Sequence, residues 1–154
     1  MMKALNKKIV LFVLVVPALL LLSVSGAVLA EEGATEEVKK EVDYAKERGW
    51  KIPPPVKNIK NPLEATPANL QRGKVWYTQN CQSCHGASGK GDGSGSADLT
   101  SDPGDFSSAK FQSLTDGELL FMTNEGKDEM KAFKKELTPQ QVWQTILYIR
   151  TMKE

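Results

Sequence analysis

The chain has 154 residues, a formal net charge of +1, 25% charged side chains, two cysteines and a single histidine. That length admits one ordinary domain with extensions. The near-neutral balance gives no basic footprint for a nucleic-acid backbone. Two cysteines and one histidine are too few for a four-ligand structural zinc site of the usual kind.

Residues 1–30 read as an export signal. Lys3, Lys7 and Lys8 form a positive start, and residues 9–22 are an apolar run broken only by Pro17. Val28 and Ala30 then occupy the two positions that define a cleavage point after Ala30. A retained membrane anchor is the competing reading, since about 20 mostly apolar residues cross a bilayer. Pro17, the serines and Gly26 favour cleavage. Without those 30 residues, 17 of the 20 basic side chains remain against 19 acidic ones, a net of minus two.

Residues 31–65 form a charged, proline-containing tail or linker. A short helix is expected over residues 35–49, with Thr35 as N-cap, Val38, Val42 and Ala45 as a narrow apolar stripe, and Gly49 as the stop. The dense charge leaves a solvated helix and no stable helix as equal readings. Trp50 precedes Ile52, Pro53, Pro54 and Pro55, a run expected to be extended as polyproline II. A tryptophan beside three prolines should dock on the domain or on a partner. Residues 57–63 read as linker.

The folded domain is placed at residues 66–154. Thr66 and Pro67 pair an N-cap with proline at the first helical position. Leu70, Gly73 and Tyr77 then share one helix face. A mid-helix glycine costs about 1 kcal/mol relative to alanine, so Gly73 implies close approach of a second helix.

This helix runs into Cys81, Gln82, Ser83, Cys84 and His85. The spacing C-x-x-C-H reads as a c-type haem attachment site. Each thiol adds to one haem vinyl group, and the histidine supplies one axial nitrogen to the iron. A thioredoxin-like redox pair would need a βαβ context, which is absent from the pattern here. A disulfide across two intervening residues would close a very small loop and stabilise little.

The glycine-rich stretch over residues 86–96 matches neither a Walker loop nor a dinucleotide fingerprint, nor an EF-hand. It reads as a flexible surface loop beside the haem edge. Asp102, Pro103 and Gly104 signal a turn, with Phe106 and Phe111 available to pack on the macrocycle. A second helix starts at Thr115, whose capping box uses Glu118, and ends near Gly126. A third starts at Thr138 and Pro139, with Gln141 completing the box. Its residues Val142, Ile146 and Ile149 form a broad apolar face, the expected partner of Gly73 and Tyr77. No alternating strand pattern occurs in the domain, so the fold class is all-α.

With His85 the sole histidine, the sixth iron position is left to methionine, lysine, water or nothing. Met122 lies among leucines on a helix, where it reads as a core filler, and Met152 lies at the chain end. Met130 sits in a loop between two helices, free to turn its thioether toward a metal.

From Thr66 onward the chain resembles the class I c-type cytochromes, particularly the small exported carriers of bacterial respiratory chains. The resemblance rests on Gly73, Tyr77, Cys81, Cys84, His85 and Gly86, then on Gly126, Met130, Lys131, Ala132 and Phe133, then on Trp143, Tyr148, Ile149 and Arg150. It implies cytochrome c-like helices wrapped around one covalently attached haem c, with His85 and Met130 as axial ligands. It also implies haem attachment outside the cytoplasm, hence a periplasmic location. Lys131 stands where the family usually has proline, a departure that leaves the Met130 loop less rigid.

The function expected is a monohaem one-electron carrier between a redox donor and acceptor, rather than an enzyme. One alternative is a haem-bearing subunit of a membrane oxidoreductase, associated through the tail or an uncleaved N-terminal segment. Another is a haem sensor with a labile sixth ligand. Lys127, Lys131, Lys134 and Lys135 could steer an acidic partner or form a solvated charged face.

Overall fold

A computed structural model describes residues 43–154. The export signal and the start of the helix expected over residues 35–49 lie outside them. Six helices follow in order: α1 (Tyr44–Glu47), α2 (Pro67–Asn80), α3 (Gln82–His85), α4 (Ala109–Gln112), α5 (Asp116–Glu125) and α6 (Pro139–Arg150). The described residues contain no β-strand, and no helix among them is long and apolar enough to cross a membrane.

The three longer helices begin where their caps require. The Thr66, Thr115 and Thr138 hydroxyls accept hydrogen bonds from the N–H groups of Asn69, Glu118 and Gln141. Both capping boxes close, with Glu118 and Gln141 reaching back to the N–H groups of Thr115 and Thr138.

Helices α2 and α6 cross at Gly73, as its placement predicts. A Cβ there would lie 2.0 Å from the Gln144 carbonyl oxygen and 3.0 Å from the Tyr148 Cβ. Only a bare backbone fits that contact. Tyr77, Val142 and Ile146 are fully buried around the crossing. At its far end α6 is tied to α5 by Arg150, whose guanidinium donates to the Asp116 carboxylate at 2.8 and 3.0 Å and to the Gln112 carbonyl at 3.1 Å.

The described part of the tail packs on these helices. Helix α1 is capped by Asp43 and stopped by Gly49 at φ +73°. Trp50 N–H donates to the Ala45 carbonyl, and Gly49 N–H to the Lys46 carbonyl. This pair of bonds is a Schellman stop. The polyproline II expectation is corrected: Pro53 is extended, but Pro54–Asn58 is a 3-10 helix. Proline fixes only φ, near −65°, a value common to both conformations. Docking decides ψ, for the turn seats Val56 against Gly117 of α5, where a Cβ would meet the Val56 carbonyl oxygen at 1.9 Å.

Residues 57–63, read as linker, are also anchored. Lys57 bridges Asp43 at 2.9 Å and the buried Glu118 at 3.0 Å, while the Asn61 amide donates to the Trp143 carbonyl at 3.0 Å.

Candidate haem site

Helix α2 ends at Asn80, and Cys81 is both its C-cap and the start of the next turn. The Cys81 N–H donates to the Tyr77 carbonyl, and its own carbonyl accepts from the N–H groups of Cys84 and His85. A one-turn helix, α3, therefore carries both thiols and the imidazole with backbone geometry fixed by α2. Tyr77 secures its exit, its hydroxyl donating to the Gly86 carbonyl at 2.7 Å.

The loop over residues 86–96 is bound back onto this turn. Gly91, Gly93 and Gly95 N–H groups donate to the carbonyls of His85, Cys84 and Ser83. A Cβ at Gly93 would lie 2.2 Å from the Ser83 carbonyl oxygen, so close approach rather than flexibility explains that glycine.

Cys81, Cys84 and His85 line one cavity of about 420 Å³. The same cavity is lined by Phe106, Phe111, Leu119, Met122, Phe133 and Ile149, and by Met130. The size falls within the range of cofactor pockets, and the walls are mainly apolar. Cys81 and Cys84 are not joined to each other as a disulfide. Burial pushes the Cys81 thiol up to about 12.

The His85 ring stacks on Phe106 at 4.3 Å, and Phe106 stacks on Phe111 at 4.3 Å. Phe106 thus backs the imidazole directly. His85 Nδ1 is buried without a hydrogen-bond partner. Burial pulls the imidazole down to about 4, and the nearby Pro103 carbonyl offsets this in part without closing a bond to Nδ1. The ring is held neutral, the form that ligates a metal. Two thiols, a neutral imidazole and apolar walls on one cavity fit a haem attached through Cys81 and Cys84.

Met130 is half-buried, packs on the core and lines the cavity. Its loop is a tight turn in which Met130 and Lys127 exchange two backbone hydrogen bonds of 2.8 and 2.9 Å. Asp128, between them, takes φ +52°. Met122, read as a core filler, is buried and also lines the cavity, so two thioethers border it. Met152 lies away from the cavity, beside Gly89.

Three of the four lysines near this loop already hold acidic neighbours. Lys127 pairs with Asp128, Lys131 with Glu136 at 2.5 Å, and Lys134 with Glu125 at 3.0 Å. A solvated, internally paired face describes them better than a free basic patch.

Sequence reasoning passed over Tyr44 and Arg48, which line the cavity together with Trp50. It also passed over Glu129, whose carboxylate accepts hydrogen bonds from Thr100 and Ser101. These bonds hold the Glu129 carboxyl down to about 2. Arg48 and Glu129 meet partners 54 and 28 to 29 residues away, a distance at which no local motif speaks.

An all-helical fold around a C-x-x-C-H turn defines a c-type cytochrome of the class I kind. Residues 68–149 match the family described as cytochrome C oxidase, cbb3-type, subunit III, and the chain belongs to that family. Membership implies covalently bound haem c and a haem-bearing electron carrier. Among solved structures, the chain is similar to the Kuenenia stuttgartiensis reducing HAO-like protein complex Kustc0457/Kustc0458, with 26% identity and a TM-score of 0.56. That match covers 71% of this chain and 54% of the other, so the chain spans about half the length of that relative. It is also similar to the KustC0563 c-type cytochrome, with 32% identity, a TM-score of 0.47, and coverage of 53% of this chain and 98% of that one. No curated protein matches the chain.

Proposed function

We propose that the chain is an exported carrier of a single haem c that passes one electron at a time between redox proteins outside the cytoplasm. The observation that carries this reading is the convergence of Cys81, Cys84, His85 and Met130 on one cavity. One C-x-x-C-H motif, the only two cysteines and the only histidine support a single haem. When bound, haem iron supplies a one-electron couple whose potential the axial ligands and surroundings tune.

The chain's own residues divide the work. Cys81 and Cys84 would hold the group by two thioethers, and His85 would give the iron an imidazole nitrogen, its ring backed by Phe106. Met130 would give the iron its second protein ligand, a soft thioether that would raise the potential relative to harder ligands. Phe111, Leu119 and Phe133 line the cavity with apolar surface that would exclude water from the group. Met122 borders the same cavity and is the competing thioether. A second functional reading, a haem subunit of a larger redox assembly, draws on the similarity to a solved multi-protein complex.

Expression with a cytochrome c maturation system tests the attachment. Haem should stay on the denatured protein through acid-acetone extraction, and Cys81→Ala with Cys84→Ala should abolish this. Freely extracted wild-type haem would reject the reading. Met130→Ala should leave the thioethers intact yet remove the sulfur–iron absorption band of the oxidised protein, lower the potential and admit carbon monoxide to the reduced protein. Met122→Leu, a volume-conserving swap, should leave all three unchanged. The opposite pattern would move the ligand to Met122.

A further inference from the structure

The loop that carries Met130 lacks the proline that its resemblance leads one to expect, with Lys131 in that place. Something else must hold it against the cavity. Its own turn fixes Met130 only relative to Lys127. Lys127 at the base of the turn reaches Trp50, and the Phe133 and Lys134 N–H groups bond back to Thr123 and Asn124 of α5. The side chain that ties the turn to the loop beside His85 is Glu129.

The two oxygens of Glu129 are both engaged by a distant segment. Oε1 accepts from the Thr100 N–H at 3.1 Å and from the Thr100 hydroxyl, and Oε2 accepts from the Ser101 hydroxyl at 2.6 Å. Bonds to an ionised carboxylate are shorter and stronger than neutral ones. Ser101, Asp102 and Pro103 line the cavity, and Pro103 presents its carbonyl to the His85 ring. One carboxylate therefore joins the loop beside His85 to the loop beside the thioether.

We propose that Glu129 is the positioning residue for Met130, its clasp on Thr100 and Ser101 keeping the thioether-bearing loop closed on the cavity in place of the missing proline. The inference rests on Met130 as the sixth ligand. Glu129 itself borders the cavity, and in this role it acts through the loop, by lowering the fraction of molecules in which the loop has swung away. A ligand that competes for the sixth position binds only to that open fraction, so its apparent rate reports the clasp directly.

The test uses the full-length, haem-loaded protein. In Glu129→Ala, and in the double variant Thr100→Val with Ser101→Ala, carbon monoxide should bind the reduced protein about tenfold faster than in wild type or more. The sulfur–iron band of the oxidised protein should weaken, and amide exchange over residues 127–132 should quicken. Glu129→Gln, which keeps one acceptor oxygen, should fall between wild type and Glu129→Ala. Lys134→Ala, which breaks a surface pair from the same region, should behave as wild type. Global melting should shift little in any of them, because Glu129 is exposed.

Two results overturn the proposal, and they differ. If Met130→Ala binds carbon monoxide quickly while Glu129→Ala stays within about twofold of wild type with its band intact, the clasp is refuted and the ligand assignment stands. If wild type lacks the band and Met130→Ala changes nothing, the ligand assignment fails and takes the clasp with it.

Discussion

Gly73 sets two residue-scale effects against each other. Helix propensity favours alanine over glycine by about 1 kcal/mol. Packing opposes it, since the added Cβ would sit 2.0 Å from the Gln144 carbonyl oxygen, inside any van der Waals contact. Neighbouring backbone cannot rotate aside as a side chain end would, so the helices must separate. Packing wins, and Gly73→Ala should destabilise by about 1–3 kcal/mol in thermal or denaturant unfolding. A rise in stability would show that the helices do not meet there. Gly73 was legible because periodicity gives the face and a glycine on an apolar face asks for a neighbour. The haem turn was legible for a stronger reason: Cys81, Cys84 and His85 are contiguous, so their geometry is local. Glu129 was not, since its meaning lies in Thr100 and Ser101, and a lone glutamate in a charged loop carries no spacing to read.

At the scale of elements, caps were the most readable feature and ψ angles of proline the least. Thr66, Thr115 and Thr138 each start a helix because a hydroxyl three residues before an N–H is a local bond. Helix α4, four residues long under a Ser108 cap, is too short to show a period. The Pro54–Asn58 turn depends on Gly117, some sixty residues on, and its anchor Lys57 depends on Asp43 and Glu118. Hydrogen bonds to Asp43 and then Glu118 raise the Lys57 pKa, and the bond from Lys57 is the main cause that lowers the Asp43 pKa. Asp43, depressed, contributes stability above its unfolded value and loses it as pH falls. Lys57, raised, contributes below its unfolded value and loses it as pH rises through its folded one. Lys57→Met should cost about 1 kcal/mol, near the top of the range for surface pairs, because Glu118 is buried and left unpaired. The difference from wild type should be flat through neutral pH and shrink below about pH 4 and above about pH 10. A difference that grows toward either extreme would contradict the junction.

For the whole molecule, the boundary of the haem site is wider than the family match. That match starts at residue 68, yet Tyr44, Arg48 and Trp50 line the cavity from the tail. Trp50 is half-buried, packs on the core, and has the Lys127 ammonium 5.9 Å from its ring centre, so it also touches the Met130 loop's base. The sequence suggested only that this tryptophan should dock somewhere, because tail composition carries no address. Under the proposed function its position separates two levers on the potential: ligand identity, proposed at Met130, and exclusion of water, to which Trp50 would contribute. Trp50→Ala removes a half-buried aromatic wall and should cost about 1–3 kcal/mol, less than a fully buried tryptophan would. Water reaching the cavity favours the more highly charged oxidised iron, so the potential of the haem-loaded protein should fall. The sulfur–iron band should persist, since Met130 and its loop are untouched in sequence. Loss of the band in Trp50→Ala would mean that the tail holds the ligand loop rather than merely shielding it. An unchanged potential together with unchanged melting would remove the tail from the site altogether.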